Sequence, residues 1–484
     1  MRVLAIDIGA SSGRLMAVSY EKGRLSIDEI HRFNNKTYFK NGILRWDFVL
    51  LMKNIKNGLW KALEKYDDIV SVGIDAFGVD YGVIDRNGCL LTDPYCYRDL
   101  GSYQKQKEAL TIIPFQELYS KTGIQNLHFN TVYQLYKDER LSENTSILMI
   151  PDLIAYYLTG EKRIELTNLS TTSLYNYEKK EIDDEILDKL GIPPSIFPKI
   201  IYPKEKYGML KKEYYPLDYQ GKEIEVIATC SHDTASSVLG MNGFDDFAYL
   251  SSGTWSLLGV ELDKPIKNIE SEKANFTNEI GINFSIRYLK NAMGMFLINE
   301  TRDDFKNRGE DIPIAKIKDL VYLAKDIDSF LDVNDPSFES PGDMIAKIDS
   351  YLDKTKQAKG EEVGEYLRLI YKSMAFSYRY IIENLERLTK RKINSLLVGG
   401  GGNQAEFLNE TIANVTNIEV KTGPVESTVL GNASAQFLHY GVFNDIYEAR
   451  KTIEKSIDSK TYEPTKPIKK EEYERYLKTI GKVN

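Results

Sequence analysis

The chain has 484 residues, of which 42% are hydrophobic and 28% charged, and a formal net charge of -8. Such a length exceeds one core and implies two large domains, and the acidic balance argues against nucleic acid or an anionic membrane as partner. No apolar run reaches bilayer-spanning length, and the odd set Cys89, Cys96 and Cys230 lacks CxxC spacing, which suits a reducing cytoplasm better than a disulfide scaffold.

The N-terminus opens directly on a strand, Arg2 to Asp7, so no secretory leader is expected. Ile8-Gly9-Ala10-Ser11-Ser12-Gly13-Arg14 reads as a tight turn, and strands over Leu15–Tyr20 and on through Ile30 complete an antiparallel meander. A Gly/Ser turn exposes backbone N–H groups and hydroxyls, which suits a phosphate, and it equally serves as a plain hairpin loop. Asp7 at the end of the preceding strand sharpens the first reading, because a carboxylate there holds Mg²⁺ against phosphates. The turn is neither a Walker loop nor a GxGxxG. From Trp46-Asp47 through Lys65 the spacing of Leu50, Leu51, Ile55, Leu59 and Leu63 predicts an amphipathic helix. Ile69 to Asp75 is the next strand, leaving through Ala76-Phe77-Gly78-Val79-Asp80. Open α/β sheets place ligands at the carboxyl ends of such strands, so Asp75 and Gly78 are candidates for substrate contact or for turn formation. The stretch 97–219 is helix-rich, with a helix over Pro151 to Gly160 and turns at Pro193, Pro194, Pro198 and Pro203.

Near the middle, Glu225-Val226-Ile227-Ala228-Thr229 predicts a buried strand running into Cys230-Ser231-His232-Asp233-Thr234-Ala235-Ser236-Ser237. Ser231 is the expected N-cap of the following helix, which leaves Asp233 in its first turn, either as part of the cap or free for chemistry. A second strand–turn–strand follows, Phe247 to Leu250, Ser251 to Thr254 and Trp255 to Val260, and repeats the opening design. Two such hairpins could clamp a triphosphate. Ser350 to Leu388 predicts a long helical region and Asn394 to Val398 a strand. Gly399 to Gly402 then leave backbone bare for a flat ligand, more glycine than close packing demands. Small residues from Pro424 to Ala435 precede the last helices and allow tight packing. The expected domains are 1–244 and 245–450, with a peripheral tail over 451–484.

Taken in order, Asp7-Ile8-Gly9-Ala10-Ser11-Ser12-Gly13-Arg14, Ile30-His31-Arg32-Phe33-Asn34-Asn35, Gly73-Ile74-Asp75-Ala76-Phe77-Gly78-Val79-Asp80, Ser231-His232-Asp233-Thr234-Ala235-Ser236, Leu250-Ser251-Ser252-Gly253-Thr254-Trp255-Ser256 and Gly423-Pro424-Val425-Glu426 resemble the FGGY family of carbohydrate kinases. Each motif is short; collinear over nearly the whole chain, they are specific. The resemblance implies an α/β protein of two actin-like (ribonuclease H-like) domains with a cleft between them. It further implies ATP-dependent phosphorylation of the 1-hydroxyl of L-rhamnulose, with Asp233 as general base and Gly78, His232 and Thr234 against the sugar. Ala10, Ser11, Ser12, Gly13, Arg14, Thr254, Asn291, Gly400 and Gly401 would fall at ATP, with Asn299 standing where relatives carry Gln. Gly101 stands where the family often has Arg, two residues after Asp99. Asp7 remains the expected Mg²⁺ ligand and Asp75 a substrate candidate. Expected partners are a small ketose and ATP, with no nucleic acid and no membrane, in the cytoplasm. Rival readings are a kinase of the same family for fuculose, xylulose or a polyol, and a non-catalytic ATP-binding sensor on the same fold.

Overall fold

The computed structural model describes residues 1–243 and 247–482, so the expected cut between 244 and 245 lies outside the described residues. The chain forms two compact units, residues 1–242, 261–288 and 426–457 in the first and residues 243–260, 289–425 and 458–484 in the second. This grouping differs from a linear cut, because two later segments return to the first unit.

The first unit is built on a six-stranded sheet. Its strands are β1 (Arg2–Ile8), β2 (Ser12–Glu21), β3 (Arg24–Asn34), β4 (Ile69–Ala76), β5 (Lys206–Met209) and β6 (Glu225–His232), in spatial order β5-β6-β4-β1-β2-β3. β1 is antiparallel to β2 and parallel to β4, and β6 is parallel to β4. The period of two along β1 explains its apolar run from Val3 to Ile6: Leu4, Ile6 and Ile8 enter one core, while Val3 and Ala5 enter another with Val429, Ala433 and Phe437. The first core is closed by helix α1 (Phe48–Lys65), whose Leu51, Ile55, Leu59 and Leu63 are buried at intervals of four. Each such side chain contributes about 1.5–3 kcal/mol by leaving water. Asp47 caps this helix by accepting from Leu50 N at 2.9 Å. The second core lies under the helix Ser427–His439, so the small residues expected to precede the last helices are themselves helical.

The second unit repeats the plan. Strands β7 (Ala248–Ser252) and β8 (Trp255–Leu262) pair antiparallel, and β7 runs parallel to β9 (Ser395–Gly399), which runs parallel to β10 (Glu419–Thr422). The expected helical region over Ser350 to Leu388 comprises two helices, Met344–Lys354 and Val363–Thr389, the latter opened by a capping box of Glu362 and Glu365. The final segment is less peripheral than expected. Thr461–Tyr462 adds antiparallel to β10, and Tyr476, 1% exposed, packs its ring 5.3 Å from that of Phe376. Among the described residues no helix is long and apolar enough to cross a membrane.

Candidate active site

In the first unit the carboxyl ends of β1, β4 and β6 lie side by side, and sheet register decides which side chains meet. Asp7 pairs with Asp75 across the parallel strands and with Arg14 across the hairpin, while His232 pairs with Ala76. Three of the expected acids, Asp7, Asp75 and Asp233, therefore share one region. Their negative charges act on one another: burial and then Asp7 push the Asp75 carboxyl far up, and burial lifts Asp233 too, with Asp7 adding to the rise. Asp75 is fully buried; Asn432 Nδ2 donates to its Oδ2 at 2.6 Å, and its Oδ1 has no hydrogen-bond partner among the described residues.

The first Gly/Ser turn is braced from below. Gly9 N donates to Ser12 O at 2.9 Å, and Asn35 holds both Ser11 O through its backbone and Gly9 O through its side chain at 3.0 Å each. Ala10 and Ser11 form the turn, Ser12 opens β2, and Ser11 is exposed. Gly13 serves packing, since a Cβ there would lie 2.3 Å from the Phe33 ring. Arg14 bridges two carboxylates, with Nη2 2.6 Å from Asp7 Oδ2 and Nη1 2.8 Å from Glu426 Oε2. Burial would lower its pKa, but Asp7 and Glu426 outweigh burial and hold it up.

One expectation at the central junction is corrected. Ser231 does not cap the helix Asp233–Leu239, α2; the N-cap position is His232, with no side-chain cap bond. Ser231 instead donates from Oγ to the buried Glu165 Oε2 at 2.6 Å, and its N–H reaches the same oxygen at 3.1 Å. Glu165 thus pins the end of β6, which spacing alone did not disclose. Asp233 occupies the first helical turn as expected, with Thr234 Oγ1 3.2 Å from its Oδ1.

His232 and Gly78 meet: a Cβ on Gly78 would sit 3.4 Å from His232 Nε2 and 3.2 Å from Thr171 Oγ1. Next to Gly78, Val79 has φ +68°, rare for a β-branched residue, and Asp80 N donates to Gly78 O at 2.9 Å, closing a γ-turn of the strained hand. Such backbone costs on the order of 1–3 kcal/mol and persists only when its surroundings hold it. Asp80 supplies that hold, accepting from Trp46 Nε1 at 2.7 Å, Tyr97 N at 2.9 Å and Gln134 Nε2 at 3.0 Å. Asp99 has partners despite Gly101, accepting from Leu44 N at 2.8 Å and Gly101 N at 2.9 Å.

On the other side of His232 stand two residues that no motif singled out. Glu279 Oε2 lies 3.4 Å from His232 Nδ1 and 3.0 Å from Arg287 Nη2, and Arg287 is fully buried. Burial raises Glu279, but the Arg287 guanidinium opposes it and the carboxyl is held below its ordinary range. A buried acid 47 residues from its histidine leaves no periodic trace; the only available signal was that a charged pair in an apolar stretch needs a partner.

In the second unit the remaining candidates gather around the second hairpin. Gly253 N donates to Trp255 O, Met295 N donates to Gly253 O at 2.9 Å and Phe296 N to Thr254 O at 3.3 Å, which seats the turn on the helix Phe296–Asn307 carrying Asn299. Asn291 lies in the strand Ile286–Met293. The glycine run adjoins the end of β7, as Ser251 pairs with Gly399. Its glycines are not equivalent. Gly400 has φ +80°, a Cβ on Gly402 would lie 1.9 Å from Ser252 Oγ, and a Cβ on Gly401 would meet nothing within 4 Å. Packing and turn geometry thus account for Gly400 and Gly402, and Gly401 alone is left bare. Gly402→Ala is expected to cost about 1–3 kcal/mol by overpacking, and Gly401→Ala to stay within about 0.5 kcal/mol. Urea denaturation of the two variants checks this; equal midpoints would contradict the difference in their surroundings.

The family description FGGY family of carbohydrate kinases, N-terminal domain, matches residues 2–240, and its C-terminal domain matches residues 248–440. A rhamnulokinase of Enterococcus faecalis is 39% identical over 483 residues, 98% of this chain and 97% of the relative. A rhamnulokinase of Halalkalibacterium halodurans is 40% identical over 466 residues, 95% of this chain and 98% of the relative. The crystal structure of Plasmodium falciparum glycerol kinase with ADP superposes with a TM-score of 0.77 at 16% identity, over 99% of this chain and 97% of that one, a likeness of fold.

Proposed function

The chain belongs to the FGGY family of carbohydrate kinases, and on that premise we propose that it transfers the terminal phosphoryl group of ATP to the 1-hydroxyl of L-rhamnulose. The observation carrying the catalytic assignment is an asymmetry among the three acids. The Asp233 side chain is 30% exposed and that of Asp7 only 7%, while Asp75 is fully buried. Only Asp233 is open enough to touch a sugar hydroxyl. Its carboxylate accepts the proton as the hydroxyl oxygen bonds to phosphorus, and a carboxyl lifted above its ordinary range is a better base than a free one. Gly78, His232 and Thr234 orient the ketose at that oxygen, with Asp75 holding the floor of the site.

Nucleotide contacts in this reading are Ala10, Ser11, Ser12, Gly13, Arg14, Thr254, Asn291, Asn299, Gly400 and Gly401. The site chemistry fits a divalent cation: Asp7 stands opposite Asp75 in the sheet register and its charge raises the Asp75 carboxyl, whose buried Oδ1 has no hydrogen-bond partner among the described residues. Asp7 would hold Mg²⁺, which when bound offsets charge on the phosphates. Among the described residues no three His, Cys, Asp or Glu side chains form a cage of their own, so phosphate and water would complete the shell. The three unpaired cysteines support a cytoplasmic setting, with ketose and ATP as the partners.

The sugar rests on the near full-length likeness to two rhamnulokinases. A coupled ADP-release assay with L-rhamnulose, L-fuculose, D-xylulose, L-xylulose and glycerol tests it. L-Rhamnulose is expected to lead in kcat/KM by about 10²-fold or more, because a polar site left with an unmatched group loses orders of magnitude. A better turnover of xylulose or glycerol would replace the sugar and keep the kinase; no turnover of any would leave a nucleotide-binding protein.

A further inference from the structure

Arg287 is a buried cation whose surroundings make poor sense as a device for stability. Its guanidinium is fully buried, Nη1 has no hydrogen-bond partner among the described residues, and Nε and Nη2 reach Ile280 O only at 3.4 and 3.3 Å. Buried ion pairs with unmatched donors contribute little net stability. What this guanidinium does offer is an obligate donor, since it carries N–H groups on every nitrogen and no acceptor. Nη2 sits 3.1 Å from His232 Nδ1 and 3.0 Å from Glu279 Oε2.

A donor at Nδ1 requires that nitrogen to be the acceptor, with its lone pair free. The imidazole proton then resides on Nε2, the nitrogen 3.5 Å from Asp233 Oδ1 and 3.4 Å from where a Cβ on Gly78 would stand. The competing arrangement, Nδ1–H donating to Glu279 Oε2, must span the longer 3.4 Å and would turn an N–H toward the guanidinium. Glu279 is already balanced by Arg287, and a doubly protonated ring would add a second cation in direct contact with a buried one.

We propose that Arg287 is a positioning residue: it fixes His232 as the neutral Nε2–H tautomer, so that a hydrogen-bond donor faces the ketose beside Asp233. Glu279 serves to keep Arg287 in place. This rests on the reading of His232 as a ketose contact, and the assignment of a tautomer from partners is open to direct measurement.

The test is ring-nitrogen NMR on the full chain labelled with ¹⁵N-histidine, where only four histidines contribute and His232→Gln assigns the signal. The wild-type protein, without sugar, is expected to show a pyridine-type Nδ1 and a protonated Nε2 at His232. Arg287→Met is expected to move the proton to Nδ1, where Glu279 is the remaining partner. It should raise KM for L-rhamnulose about 10- to 100-fold, the loss of one buried hydrogen bond, with KM for ATP unchanged. Glu279→Gln keeps the guanidinium donor and is expected to keep the Nε2–H form, and it carries the test where Arg287→Met does not fold. A protonated Nδ1 in the wild type or in Glu279→Gln overturns the proposal. So does an Arg287→Met enzyme with a switched tautomer and an unchanged ketose KM. Failure of every ketose to react sinks the substrate reading and the positioning role with it, while the tautomer is read by NMR in either case.

Discussion

Asp233→Asn is expected to lower kcat by roughly 10²–10⁴-fold, the usual contribution of a general base, in a protein that melts with the wild type and still binds nucleotide. The substitution keeps size and shape and removes only the charge and the ability to accept a proton. A capping role predicts the reverse pattern, a stability loss of up to about 1 kcal/mol with little change in turnover. The pH profile gives a second readout. Burial and the charge of Asp7 favour the protonated form, so activity should fall as pH drops through a pKa above the ordinary carboxylate range. That acid limb should vanish from the residual rate of Asp233→Asn. A folded variant with wild-type turnover would remove Asp233 from the mechanism.

Gly431→Ala is expected to destabilise the first unit by about 3–5 kcal/mol, beyond ordinary overpacking and in the range that marks a named structural cause. A Cβ at Gly431 would stand 1.7 Å from Ser236 O, and a Cβ at Gly240 would stand 1.9 Å from Ser427 O. Backbone faces backbone at both points, so no side chain can rotate aside and the helices α2 and Ser427–His439 must part. Alanine's better helix propensity returns only about 1 kcal/mol. Since α2 carries Asp233, whatever folds should also turn over more slowly, with the base displaced. Denaturant midpoints and steady-state kinetics on the same sample check both halves. A variant as stable as the wild type would mean that the two helices do not cross as closely as described.

These two substitutions also separate what local sequence determines here from what folding adds. Strand β1 was legible because Val3 to Ile6 form an unbroken apolar run, and α1 because Leu51, Ile55, Leu59 and Leu63 recur every fourth residue. Both Gly/Ser hairpins were legible from turn chemistry, as was the strand leading to Asp233, since periodicity and turn preference are properties of neighbouring residues. The extent of the fold that such cues cover is large, and the family resemblance rode on them. Partners of buried charge are another matter. Ser231 has the composition of an N-cap, and only the approach of Glu165, 66 residues away, turns its hydroxyl to the strand end. Asn432 reaches Asp75 across 357 residues and Arg287 reaches His232 across 55, and neither contact has a period or a motif. The glycine run looked uniform, yet one member is crowded by Ser252 and its neighbour faces open space. Local preference places a carboxylate at the end of a strand. Which donor or cation makes its burial tolerable depends on segments brought together only by packing, because an unpaired charge inside a protein costs more than any single turn or helix can repay.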